Sequence, residues 1–162
     1  MFKRYLTMVS IIFFSFVITG INHTYNEIHY YRARKGHRDL RKADLSGANL
    51  NYINLHKRLL TFANLNSAKL RHSRLTELIF RGGSAINADF TGADMRLSDF
   101  RAVNFTRAKL DYANLLESNI QRANFRNASF YYTRIDYKYH KILKSFKVKG
   151  YKKIKWVNKP LL

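Results

Sequence analysis

The residues able to do chemistry are present but badly spaced for catalysis. The six histidines, at 23, 29, 37, 56, 72 and 140, include no His-x₃-His pair that would place two ligands on one helix face. There is no cysteine, which excludes disulfides, thiolate metal sites and a cysteine nucleophile. Gly82-Gly83 lacks the following Lys-Ser/Thr of a phosphate loop. No catalytic, cofactor-binding or metal-binding set emerges, and no enzyme activity is expected. The remaining inventory is charge: 30 Lys+Arg against 10 Asp+Glu, a formal net charge of +20 at pH 7. Such a chain favours anionic surroundings: lipid headgroups, nucleic acid or an acidic protein.

The charge is unevenly placed along the 162 residues. Residues 1–37 carry +4, residues 38–137 carry +7, and residues 138–162 carry +9 with nine lysines and no acid. The elements that hold these groups differ accordingly. Lys3 and Arg4 precede an uncharged apolar run, residues 5–21. Its length is near the minimum for a membrane-spanning helix, and a basic start before an apolar run also fits an export signal. Apolar residues surround the helix from Ile11 to Ile18, which argues against a half-exposed soluble helix. The expectation is a membrane anchor or signal peptide over 1–21, giving a membrane-associated or exported protein. Thr24-Tyr-Asn-Glu27 has capping-box spacing and Gly36 suits a helix end, so 22–37 is read as a short capping helix or linker, the helix spanning roughly 25–35.

From 40 to 135 every fifth residue is large and apolar, Leu40, Leu45, Leu50 and onward to Phe130 and Ile135, with Ala85 as the one exception in twenty. Two residues earlier the side chain is usually Ala, Ser, Gly, Thr or Val; Arg38, Ile53, Arg58 and Leu78 depart from this. The residue just before the large one is Asp or Asn in twelve of twenty units. Turn preferences explain those carboxylates and amides without acid–base chemistry. A five-residue step rotates a helix position by about 140°, which scatters the apolar set. A flat strand repeats every two residues. The pattern needs a backbone that turns one corner per unit and sends one large and one small side chain inward.

The units Ala43-Asp-Leu-Ser-Gly, Ala48-Asn-Leu-Asn-Tyr, Ala63-Asn-Leu-Asn-Ser, Ala88-Asp-Phe-Thr-Gly and Ala123-Asn-Phe-Arg-Asn resemble the pentapeptide-repeat family. The resemblance implies an all-β fold, a right-handed quadrilateral β-helix over 38–137, with four units per coil and about five coils. Stacked at the interstrand spacing, the coils would form a rod about 20–25 Å long. In a 20-residue coil, positions 40, 60, 80, 100 and 120 share a face. Arg58, Leu59, Ile79 and Arg81 cluster there as a candidate partner-binding surface, with packing of an N-terminal helix or the C-terminal segment as the alternative. Arg41, Thr61, Arg81, Arg101 and Gln121 stack beside them, where Asp39 and Asp99 are close enough to pair with the arginines. Tyr52, His72, Gly92, Tyr112 and Tyr132 stack elsewhere, chiefly as coil-to-coil packing. Arg81-Gly-Gly-Ser-Ala85, with two glycines and no large residue, suggests a loosened coil.

Residues 138–162 leave the period. Tyr139–Phe146 is expected to cover the open end of the last coil. The lysines exceed that need. Lys144, Lys147, Lys149, Lys152, Lys153 and Lys155, with Trp156, are candidate contacts to an anionic membrane surface. The expected function is therefore a non-enzymatic scaffold that binds an unidentified protein partner, anchored at a membrane or exported. Nucleic-acid or topoisomerase interaction is the alternative. Some proteins that the chain resembles protect DNA gyrase by mimicking DNA, but mimicry needs an acidic surface and the repeat region is +7. Monomer and end-to-end dimer both remain open.

Overall fold

The structure, a computed structural model, describes residues 26–158. The expected anchor or signal over 1–21 lies outside the described residues. Among these, no helix is long and apolar enough to cross a membrane.

From Asp39 to Arg134 the backbone forms four ladders of parallel bridges, each linking residues 20 apart. One ladder runs Asp39, Leu59, Ile79, Asp99, Asn119; the others start at Asp44, Asn49 and Asn54. The ladders define four faces, centred on residues 40, 45, 50 and 55 and their successors. Most corners are closed by a hydrogen bond such as Ala43 N–H to the Leu40 carbonyl, 3.1 Å, whereas the Leu78 N–H donates to the Ser98 hydroxyl at 3.0 Å. The second corner residue has positive φ at every corner from Lys42 to Tyr132, and glycine occupies only three of these positions, Gly47, Gly82 and Gly92. That makes each corner a type II turn. All twelve Asp or Asn residues before the large apolar positions accept the N–H two residues on, from Asp39–Arg41 to Asn124–Arg126. These side chains are the turn devices of the repeat.

Inward, the core changes composition along the axis. Leu40 through Leu75 pack the first coils, and Phe80, Phe90, Phe100, Phe105, Phe125 and Phe130 pack the later ones. Hydroxyls in the small slots are satisfied by backbone: Ser73 donates to the Leu70 carbonyl, Ser98 to Leu75 and Thr133 to Leu110.

The expected loosening at Arg81–Ala85 is corrected. Bridges Ile79–Asp99 and Ser84–Asn104 hold the register through it. A side chain on Gly83 would fall inside the Phe80 ring, and Ala85 is fully buried. The small residues make room for phenylalanine.

Helix α1 spans Glu27–Arg34. Its N-cap is Asn26, whose side chain accepts from the Ile28 and His29 N–H groups; Thr24 lies outside the described residues. The C-terminus closes with Gly36 at φ 72°, Gly36 N–H on Ala33 and His37 N–H on Arg32. This is a Schellman motif. The helix meets exposed backbone of the first coil: Arg32 donates to the Asp39 carbonyl at 2.7 Å, and His29 Nδ1 accepts from Asp44 N–H at 3.0 Å.

After strand β1, Arg134–Asp136, the chain makes a 3-10 turn, Tyr137–Tyr139, and helix α2, His140–Ser145. It then rejoins the ladders. Lys149 bridges Ser129, and strand β2, Lys155–Val157, pairs in parallel with β1. Much of the lysine-rich end is thus part of a sixth, incomplete coil, with Val148 and Ile154 turned inward.

Candidate functional site

The first face, centred on 40, 60, 80, 100 and 120, brings Leu59 and Ile79 together as bridge partners. Both are half-buried. They stand where most units carry a turn-forming Asp or Asn, and so present apolar side chains instead. Phe62 extends this strip at the corner, 64% exposed, with its ring lying over Gly82. The sequence reading missed Phe62 because the corner position tolerates any residue type. Only its stacking over a glycine one coil away marks it.

Arg81 does not flank the strip as a free cation, and Arg58 is drawn toward Gly36. Arg58 occupies an inward slot and its guanidinium reaches toward Gly36, where an added Cβ would lie 3.2 Å from Nη2. Its Nε is buried without a hydrogen-bond partner. Arg81 reaches one coil down to Asp99 at 2.5 Å, and Arg101 pairs with the same carboxylate at 2.8 Å. Arg41 pairs with Asp39 through two nitrogens, at 2.9 and 2.7 Å. The arginine stripe is therefore largely neutralised by its own aspartates.

These pairs set an acid limit. Burial raises the Asp99 pKa, but hydrogen bonds from Arg101 and Arg81 outweigh it and hold the carboxyl below its ordinary value. Arg96 does the same to Asp94, and Arg41 to Asp39. A depressed native pKa stabilises the fold above the unfolded carboxyl pKa, about 3.9, and that stability is lost as pH falls through the native value. Thermal unfolding is expected to hold steady down to about pH 5 and to weaken steeply below about pH 4. Asp99→Asn should lower the melting temperature at neutral pH and flatten the acid limb; an unchanged limb would show that Asp99 does not drive it.

The tyrosine column is split. Tyr52 stacks on His72 with centroids 5.6 Å apart, and Tyr112 on Tyr132 at 5.2 Å. The gap is Gly92, over which the His72 ring lies.

The candidate anionic-surface residues fall into separate settings. Trp156 is half-buried, edge-on to Tyr137 and Tyr151. Lys155 lies over the Tyr132 ring, 6.0 Å from its centroid. Lys144 lies on α2, and Lys147, Lys149, Lys152 and Lys153 are exposed along the chain that leads to β2.

Residues 39–76, 59–96 and 98–134 match the family described as pentapeptide repeats, in eight copies. No curated protein is significantly similar in sequence. Among solved structures, a pentapeptide repeat protein, Rfr23, from the cyanobacterium Cyanothece 51142 is 22% identical over 56% of this chain, with a TM-score of 0.42. The chain spans 58% of that protein's length. HetL of Nostoc sp. strain PCC 7120, involved in heterocyst differentiation regulation, is 18% identical over 70% of each chain, with a TM-score of 0.40. QnrB1, a plasmid-mediated fluoroquinolone resistance protein, is 15% identical over 74% of this chain and 77% of its own, with a TM-score of 0.44. The chain belongs to the pentapeptide-repeat family, whose members fold as right-handed quadrilateral β-helices.

Proposed function

We propose that the chain is a non-enzymatic scaffold that receives a protein partner on its first face. The observation that carries this reading is the pair Leu59 and Ile79, half-buried on adjacent coils where most units present a turn-forming Asp or Asn, extended at the corner by the exposed ring of Phe62. A rigid face with apolar residues ringed by paired charges suits a protein surface better than a small substrate. An interaction role is also in keeping with the family.

In this reading α1 and residues 137–157 close the two ends of the rod, which shields its strand edges from further pairing. Residues 5–21 anchor the chain at a membrane. The exposed lysines Lys144, Lys147, Lys149, Lys152 and Lys153 face anionic headgroups, each contributing about 1 kcal/mol near such a surface.

A photo-crosslinking side chain at Ile79, in the full chain in its native cells, tests the face. One discrete protein adduct is expected at Ile79 and none with the same group at Asn87, an exposed residue at the corner between the second and third faces. Equal adducts at both positions would reject the first face. After carbonate washing, the adduct stays with the membranes if residues 5–21 anchor the chain, and its release rejects the anchor while leaving the face intact.

A further inference from the structure

We propose that the corner between the second and third faces, near the C-terminal end of the rod, is a binding site for a phosphate group. An open cavity there is lined by Arg107, Ala108, Lys109, Asn127, Ser129 and Lys149. Arg107 and Lys109 belong to one stretch of chain, and Lys149 enters from a segment 40 residues further on. Lys109, Ser129 and Lys149 are successive members of one bridge ladder, so the serine hydroxyl sits between the two lysines. Arg107 projects from the adjoining corner, where its φ is 59°.

The charge here is not neutralised as it is on the first face. Among the described residues, the side chains of Arg107, Lys109 and Lys149 have no carboxylate within ion-pair distance and no hydrogen-bond acceptor. The neighbouring carboxylates are directed elsewhere. Asp89, next to Lys109 on the ladder, lies 3.8 Å from Arg71 and accepts from the N–H and hydroxyl of Thr91. Asp111, two residues beyond Lys109, accepts from Tyr131 N–H. The Ser129 hydroxyl and Asn127 amide, likewise without side-chain partners among the described residues, add neutral donors to the same wall.

Three positive charges and two neutral donors around one cavity call for a compact ligand with more than one negative charge and several acceptor oxygens. Phosphate meets that description, since its oxygens take charge-assisted hydrogen bonds from several directions at once. Lysine's flexible stem lets Lys109 and Lys149 converge although their backbones are two coils, about 10 Å, apart. The ligand is either a phospholipid headgroup or a soluble phosphate compound. The inference is independent of the partner face and shares only Lys149 with the anionic-surface reading.

Calorimetric titration of the full chain in neutral detergent with sodium pyrophosphate, at low ionic strength so that screening is weak, tests the site. Saturable one-site binding is expected. The double variant Lys109→Gln/Lys149→Gln should weaken it by at least about tenfold, the equivalent of one charge-assisted contact. Lys42→Gln/Lys141→Gln removes the same charge outside the cavity, at two exposed lysines, and should leave it within about twofold. Absence of saturable binding, or equal weakening by the two double variants, would overturn the proposal. A parallel titration with dihexanoyl phosphatidylglycerol identifies the source. If the cavity variant loses both ligands, the site takes a lipid headgroup; if it loses pyrophosphate alone, the site takes a soluble phosphate compound.

Discussion

Phe105→Ala is expected to lower the folding free energy by about 3–5 kcal/mol, among the most damaging single truncations in the rod. Phe105 is fully buried and central to the aromatic core. Its ring stacks on Phe125 at 5.2 Å with the planes 3° apart, and meets Phe90 and Phe100 edge-on at 5.6 and 5.7 Å. Phe125 in turn touches Phe130 and Phe146, so the cluster joins the central coils to the segment behind α2. Truncation would leave a cavity that neighbouring rings, fixed by backbone bridges on every side, cannot collapse into. In a stacked-coil protein each unit is held by its neighbours, so the loss is felt on both sides of the cavity. Denaturant unfolding measures it. A cost below about 1 kcal/mol would mean that the rings repack freely and that the aromatic core is not a fixed arrangement.

The coil itself was legible in the residues because its cause is local. One large side chain every five residues, a small one two before, and Asp or Asn between them specify corner, inward slot and turn hydrogen bond within a single unit. The 20-residue stacking then placed Leu59 beside Ile79 and Tyr112 beside Tyr132. What the residues hid depends on the coil above or below. Arg58 looked like a surface cation, yet its slot points inward and its guanidinium turns to Gly36. The stripe of arginines looked basic until Asp99 was seen to hold two of them. The phosphate cavity was hidden for a similar reason. Lys149 keeps the 20-residue register of Lys109 and Ser129, but it follows a helix and an irregular stretch that lack the repeat's apolar pattern, so the residues do not show that the coil resumes there. Asn26 displaced the expected capping box because helix α1 begins where it can hydrogen-bond the first coil, a tertiary choice that the local motif does not encode.

Gly83→Ala should cost about 1–3 kcal/mol, although alanine is the commonest residue at this slot. The reason is the neighbouring Phe80. A methyl group on Gly83 would overlap the Phe80 ring, which is fully buried and has no exposed direction in which to move. Gly83 has no positive φ among the strained corner residues, so its backbone would accept alanine and the penalty is purely one of volume. That separates it from Gly82 and Gly92, whose φ values of 60° and 69° already disfavour a side chain. The volume argument makes a second, stricter demand. In the Phe80→Leu background, where the smaller side chain restores the packing of the earlier Leu coils, Gly83→Ala should become nearly neutral. The double-mutant cycle should then show a coupling of about 1–3 kcal/mol between the two positions. If the two substitutions are instead additive, the glycine is not there to admit the ring. The Arg81–Ala85 unit would then have to be read as a weak coil, not as the place where the rod passes from a leucine core to a phenylalanine core.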